Sequence, residues 1–114
     1  MALSELTKKM AQKSLDDLFD KRVPIHVRDK IRFGHTVRGN SITLLEIRPV
    51  YNDPTRHTEM PVAQFRYDDE TKKWTLYCCD RNSKWHEYLD ILPSNVFADL
   101  VAEVDRDPTG IFWG

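Results

Sequence analysis

Between Ile31 and Leu89 the chain breaks into five short runs rich in β-branched and aromatic residues, and an amphipathic stretch lies on either side. Runs of this length, punctuated by Gly, Asn, Asp and Pro, are strands rather than helices. Short sequential connections favour antiparallel pairing of neighbours, and each amphipathic helix has one apolar stripe to bury. The expected fold is α+β: an antiparallel meander of about five strands flanked by an N-terminal and a C-terminal helix, with both helices on one face of the sheet.

The tightest signal is Gly39-Asn40, a two-residue hairpin dipeptide. It sets Arg38 against Ser41, Val37 against Ile42, His35 against Leu44, Phe33 against Glu46 and Ile31 against Arg48. Side chains alternate across a strand. One face therefore carries Ile31, Phe33, His35, Val37, Ile42, Leu44, Glu46 and Arg48, and is the expected core side. The other carries Arg32, Gly34, Thr36, Arg38, Ser41, Thr43, Leu45 and Ile47. Ionised groups on an apolar face are costly unless paired. Glu46 and Arg48, with His35 diagonally across from Glu46, are thus the candidate polar cluster, expected to be partly desolvated and paired.

Residues 49–59, which include Asn52-Asp-Pro54, read as a polar connection. A third strand over residues 62–67 and a fourth over 74–79, joined by a four-residue turn at 69–72, set Tyr67 against Trp74, Phe65 against Leu76 and Ala63 against Cys78. Gln64, Arg66, Thr75 and Tyr77 then share the opposite face. A fifth strand is expected over residues 85–89, with its register open. The first helix is expected over residues 4–20 with Ser4 as N-cap, its stripe being Leu6, Met10, Ala11, Leu15, Leu18 and Phe19. The second opens at Pro93-Ser94, with Val96, Phe97, Leu100, Val101 and Val104 on one stripe. Trp74, Leu76, Phe65, Tyr67, Phe33 and Val37 are the expected sheet core, faced by Leu15, Leu18, Phe97, Leu100 and Val101. The tail Ile111-Phe-Trp113 is too apolar to be left in water, so it packs on the body or on a partner.

A length of 114 residues suits one domain. No apolar run approaches the roughly 18 residues of a membrane span, and the N-terminus lacks the apolar core of a signal peptide, so no membrane partner is expected. Cys78 and Cys79 are adjacent in a strand and point to opposite faces, so reduced thiols and a cytoplasmic location are expected.

Leu-Leu-Glu46-Ile-Arg48-Pro49, Met-Pro61-Val62-Ala63, Trp74-Thr-Leu-Tyr77 and Lys84-Trp85-His86-Glu-Tyr88, with Phe112 and Gly114 at the end, together resemble a family of small bacterial proteins catalogued as a domain of unknown function. The resemblance spans nearly the whole chain and implies a bacterial cytoplasmic protein of one domain. It supplies no activity, no cofactor and no catalytic residue.

The residues carry partial signals of four chemistries. His26, His35, His57 and His86 lie on separate segments, and no C-x-x-C or closely spaced His pair is present, so no metal and no other cofactor is expected. Glu46-Ile-Arg48 with Asp29 upstream is faintly like a metal-dependent nuclease, but a guanidinium replaces the lysine and is not tunable into a base. Cys78 or Cys79 with His86 lacks a helix N-terminus or oxyanion-hole signal, so core thiols are the simpler reading. Arg32, Arg38, Arg66, Tyr77 and Tyr88 on the open face would suit single-stranded nucleic acid.

Residues 21–66 carry nine Lys or Arg against four Asp or Glu, and residues 67–114 five against ten. The chain lacks the strong basic excess of a nucleic-acid binder, so nucleic acid is not favoured and opposite halves of one sheet are expected to complement each other electrostatically. The functional expectation is a non-catalytic binding or adaptor module acting on a protein partner or a second copy of itself. The alternatives are single-stranded nucleic-acid binding and, second, a nuclease-like enzyme.

Overall fold

The computed structural model describes residues 3–113, so Gly114 of the family-like ending lies outside the described residues. Helix α1 spans Glu5–Arg22, and its N-cap is Ser4, whose hydroxyl accepts from the Thr7 amide at 3.1 Å. That bond satisfies one of the orphan donors of the first turn. After a short 3-10 turn at Ile25–Val27 come β1 (Arg32–Arg38), β2 (Ser41–Val50), β3 (Asp53–Asp68), β4 (Lys73–Cys79) and β5 (Trp85–Glu87), and then α2 (Phe97–Arg106). The five strands form one antiparallel sheet in the order β1-β2-β3-β4-β5, the meander expected from the short connections.

The first hairpin takes the expected register from Arg38↔Ser41 to Phe33↔Glu46. Gly39 alone of its two turn residues has a positive φ, 59°, as a II′ turn requires. The pairing of Ile31 with Arg48 does not form, because β1 begins at Arg32. In the second hairpin Tyr67↔Trp74, Phe65↔Leu76 and Ala63↔Cys78 pair as expected.

The largest departure is the length of β3. Residues 53–59, read as a polar connection, are strand, and β2 and β3 form an arm that runs past the end of β1. Pro54 to Pro61 are all exposed, so no apolar alternation marks them in the sequence, and their pairing with β2 is what makes them a strand. A register shift at Leu44/Leu45 leaves Val62 as the extra residue of a bulge. Val62 and Ala63 are both buried, the two successive inward side chains that such a bulge permits.

Ile42, Leu44, Phe65, Trp74, Leu76 and Cys78 from the sheet meet Ala11, Leu15 and Leu18 of α1 and Phe97, Leu100, Val101 and Val104 of α2 in one buried cluster. Phe97 lies with its ring centroid 4.6 Å from Phe65 and 4.9 Å from Trp74. Phe33 and Tyr67 are half-buried at its margin. Val37, expected in the core, is 39% exposed, because it sits near the end of the edge strand where the helices no longer cover the sheet. Leu6, Met10 and Val96 are likewise exposed: the buried stripes of both helices are narrower than the sequence periodicity suggested. Helix α2 starts at Phe97 rather than at Ser94, whose backbone pairs with Trp74 on the outer edge of β4.

The two helices are clamped at one end by charge. Asp105 of α2 accepts from Lys21 Nζ at 2.6 Å and from Arg22 Nη1 at 3.1 Å, both on the last turn of α1. These bonds, Lys21 first, hold the Asp105 carboxyl below its ordinary value of 3.8 despite some burial. A carboxyl lowered in the folded state stabilises fully above its unfolded value, and the stabilisation is lost as pH falls through the lower folded value. Urea unfolding between pH 7 and pH 3 is therefore expected to show stability declining below about pH 4, with Asp105→Asn costing about 1–2 kcal/mol at neutral pH and flattening that decline. An unchanged acid profile in the variant would remove Asp105 from the account.

Candidate functional site

The two faces of the sheet are chemically distinct. On the helix side the strands present Ile42, Leu44, Ala63, Phe65, Trp74, Leu76 and Cys78, all buried. Among the described residues the other face carries no helix, and none of its side chains is fully buried. It presents Arg32, Thr36 and Arg38 from β1, Ser41, Thr43, Leu45 and Ile47 from β2, Gln64 and Arg66 from β3, Thr75 and Tyr77 from β4, and Trp85 and Glu87 from β5.

Arg66 is the most ordered cation on this face. Its guanidinium carbon lies 3.8 Å from the centroid of the Tyr77 ring, and its Nε donates to Gln64 Oε1 at 2.7 Å. Gln64 Nε2 in turn donates to Thr43 Oγ1 at 2.9 Å. The ring fixes the plane of the guanidinium and the amide fixes its rotation, so the terminal nitrogens form a pre-set fork. Among the described residues, Arg22, Arg28, Arg48 and Arg106 take part in ion pairs and Arg32, Arg38, Arg56, Arg66 and Arg81 do not; Arg32, Arg38 and Arg66 are the three of these that share the open face. The ion pairs between the two halves of the chain join Lys21 and Arg22 of α1 to Asp105 of α2 and do not lie across the sheet, and the open-face arginines take no part in them. Arg38 and Arg66 line a shallow depression of about 840 Å³ together with Thr36, Thr43, Gln64 and Trp85. Residues of β1 and β5, the two edges of the sheet, share its wall.

Four of the five residues named for a nucleic-acid face, Arg32, Arg38, Arg66 and Tyr77, are on it. Tyr88 is not: it is buried, with its hydroxyl donating to Glu103 Oε2 of α2 at 2.8 Å. The pairing Cys78↔His86 decides this, because it turns His86 and Tyr88 to the helix side and Trp85 and Glu87 to the open side. Burial first, then the bond to the Glu103 carboxylate, push the Tyr88 phenol up to about 12. Glu103 is itself buried and paired with Arg106, so this cluster stitches β5 to α2. Trp85 was missed because it depended on the register that the sequence left open.

The cluster at Glu46 forms only in part. Arg48 Nε donates to Glu46 Oε1 at 2.6 Å, but His35 makes no hydrogen bond to either. Glu46 is 17% exposed, while the Arg48 side chain, on the arm beyond β1, is 54% exposed. The loss of about 3–5 kcal/mol that a fully buried pair would show on removal of one partner does not apply to a pair so open on one side. A double-mutant cycle of Glu46→Gln and Arg48→Met is expected to give a coupling below about 1 kcal/mol; a coupling above about 2 kcal/mol would mean that the pair is desolvated in solution.

The catalytic alternatives find little geometry. Among the described residues no three His, Cys, Asp or Glu side chains converge as metal ligands. Asp29 and Glu46 open onto different hollows of the arm. Burial raises both cysteine thiols, and the Cys78 thiol donates to the backbone carbonyl of His86 rather than to its ring. That ring bonds Asp80, which also accepts from the amides of Asn82 and Lys84 and so organises the β4–β5 loop.

Fold and face together define an antiparallel sheet module, covered by helices on one side and open on the other. The chain belongs to the family described as Domain of unknown function (DUF3024), whose model matches residues 3–114. No curated protein and no solved structure matches it. Among the described residues no helix is long and apolar enough to cross a membrane.

Proposed function

We propose that the chain is a small bacterial cytoplasmic binding module without catalytic chemistry, and that it works through the uncovered face of the sheet. The observation behind this reading is the unpaired arginine set, above all the Arg66 fork held by Tyr77 and Gln64. A cation with its geometry fixed and its terminal nitrogens open to solvent adds little to the stability of the fold, and it is prepared for an anionic or hydrogen-bond-accepting group of another molecule. The tail, the other anchor suggested by the sequence, is packed on the body: Phe112 is buried and Trp113 stacks on Phe33.

Affinity capture from a bacterial lysate, with wild-type protein and Arg66→Glu side by side, tests the reading. Wild type should retain a species that the variant, folded to the same degree by circular dichroism, releases. Equal retention by both proteins would place the working surface elsewhere.

A further inference from the structure

Resting on that reading of the open face, we propose that its ligand is a single-stranded nucleic acid, with phosphates held by Arg38 and Arg66 and a base stacked on Trp85. The first ground is shape. The depression is shallow, and its walls come from Thr36 and Arg38 on β1, Thr43 on β2, Arg66 on β3 and Trp85 on β5, which suits an extended chain rather than a small compact ligand. The second is charge: Arg32, Arg38 and Arg66 have no carboxylate partner among the described residues, and the guanidinium fork matches a phosphate in geometry. Glu87, opposite Tyr77, and Glu59, on the arm opposite Ile47, bound this positive region and direct a polyanion toward β1, β2 and β3.

The third ground is the pairing of aromatic and polar surface. Trp85 is half-exposed in the wall of the depression, and an indole face accepts any base by stacking. Beside the arginines the wall has Thr36, Asn40, Ser41, Thr43 and Gln64, which offer hydroxyl and amide groups to base edges, with Val37 its one aliphatic residue. An extended acidic peptide would instead be held by main-chain bonds along a strand edge, whereas Thr43, Gln64 and Arg66 stand on β2 and β3, inner strands whose two sides are already paired. A duplex is read by an element entered into a groove, and nothing rises from this face to enter one.

Fluorescence anisotropy with a labelled thymidine oligonucleotide of about 12 nucleotides, at roughly 50 mM salt, tests the proposal against a duplex of equal length and against polyglutamate. Micromolar binding is expected for the single strand, weaker binding for the duplex and polyglutamate, and a log–log salt slope near about −1.4 for two phosphate contacts. Trp85→Ala and Arg66→Ala should each weaken binding about tenfold, as the loss of one stacked base or one charge-assisted contact does. Arg38 is exposed, so Arg38→Ala keeps the fold and should weaken binding severalfold even if a Trp85 variant is poorly folded. Equal affinity for polyglutamate, or no binding at about 100 μM protein, overturns the ligand assignment. If that happens while Arg66→Glu still releases a captured species, the ligand class falls and the open face stands. If Arg66→Glu releases nothing, the face itself falls and this assignment falls with it.

Discussion

Replacing Phe97 by alanine is expected to lower the free energy of unfolding by about 3–5 kcal/mol, the range for truncating a buried phenylalanine that leaves a cavity. Phe97 is the first residue of α2 and the point where that helix enters the sheet, between Phe65 and Trp74. Both neighbours are nearly inaccessible and are held in the β3–β4 ladder, so the site has little freedom to collapse onto the gap. Urea unfolding at neutral pH measures the effect. A loss below about 1 kcal/mol would mean that the ring is not buried between them.

Ending the chain after Gly110 is expected to cost a similar amount, about 3–5 kcal/mol, because it removes one buried and one half-buried aromatic ring. Phe112 lies 5.0 Å from Tyr88, and Trp113 lies 5.3 Å from Phe33, with Arg22 over its other surface. The indole N–H donates to the carbonyl of Val104 at 2.8 Å. Asp107, in the left-handed conformation at the end of α2, turns the chain back, and its carboxylate accepts from the amides of Phe112 and Trp113. A truncated chain of wild-type stability that loses a partner would make the tail a docking element instead.

Much of this fold is legible because backbone constraints and apolar alternation agree. Gly39-Asn40 pins the first hairpin, and the apolar faces of β3 and β4 fix each other's register across a turn of defined length. The arm was not legible, since residues 53–59 have no side-chain periodicity and are strand only by virtue of β2. The tail was recognised as apolar, but its destination depends on the positive φ of Asp107; the run Asp107-Pro-Thr-Gly110 marks a turn there without giving its direction.

The candidate site divides in the same way. Arg32, Arg38, Arg66 and Tyr77 follow from alternation on strands of known register. Tyr88 was set on the wrong face and Trp85 was left unplaced because β5 is only three residues long, and a one-residue change of register moves each side chain to the opposite face. Glu46 and Arg48 drew attention as charges among aliphatics, yet the arm carries Arg48 out past the end of β1, so the pair is less desolvated than its neighbours suggest.

The open face is the central claim, and amide-resolved NMR of isotope-labelled protein titrated with the thymidine oligonucleotide tests it most directly. The account predicts shifts at Thr36, Arg38, Thr43, Gln64, Arg66, Tyr77 and Trp85, with α1 and α2 unperturbed. Shifts confined to the groove between α1 and α2, or to the arm beyond Pro49, would contradict it.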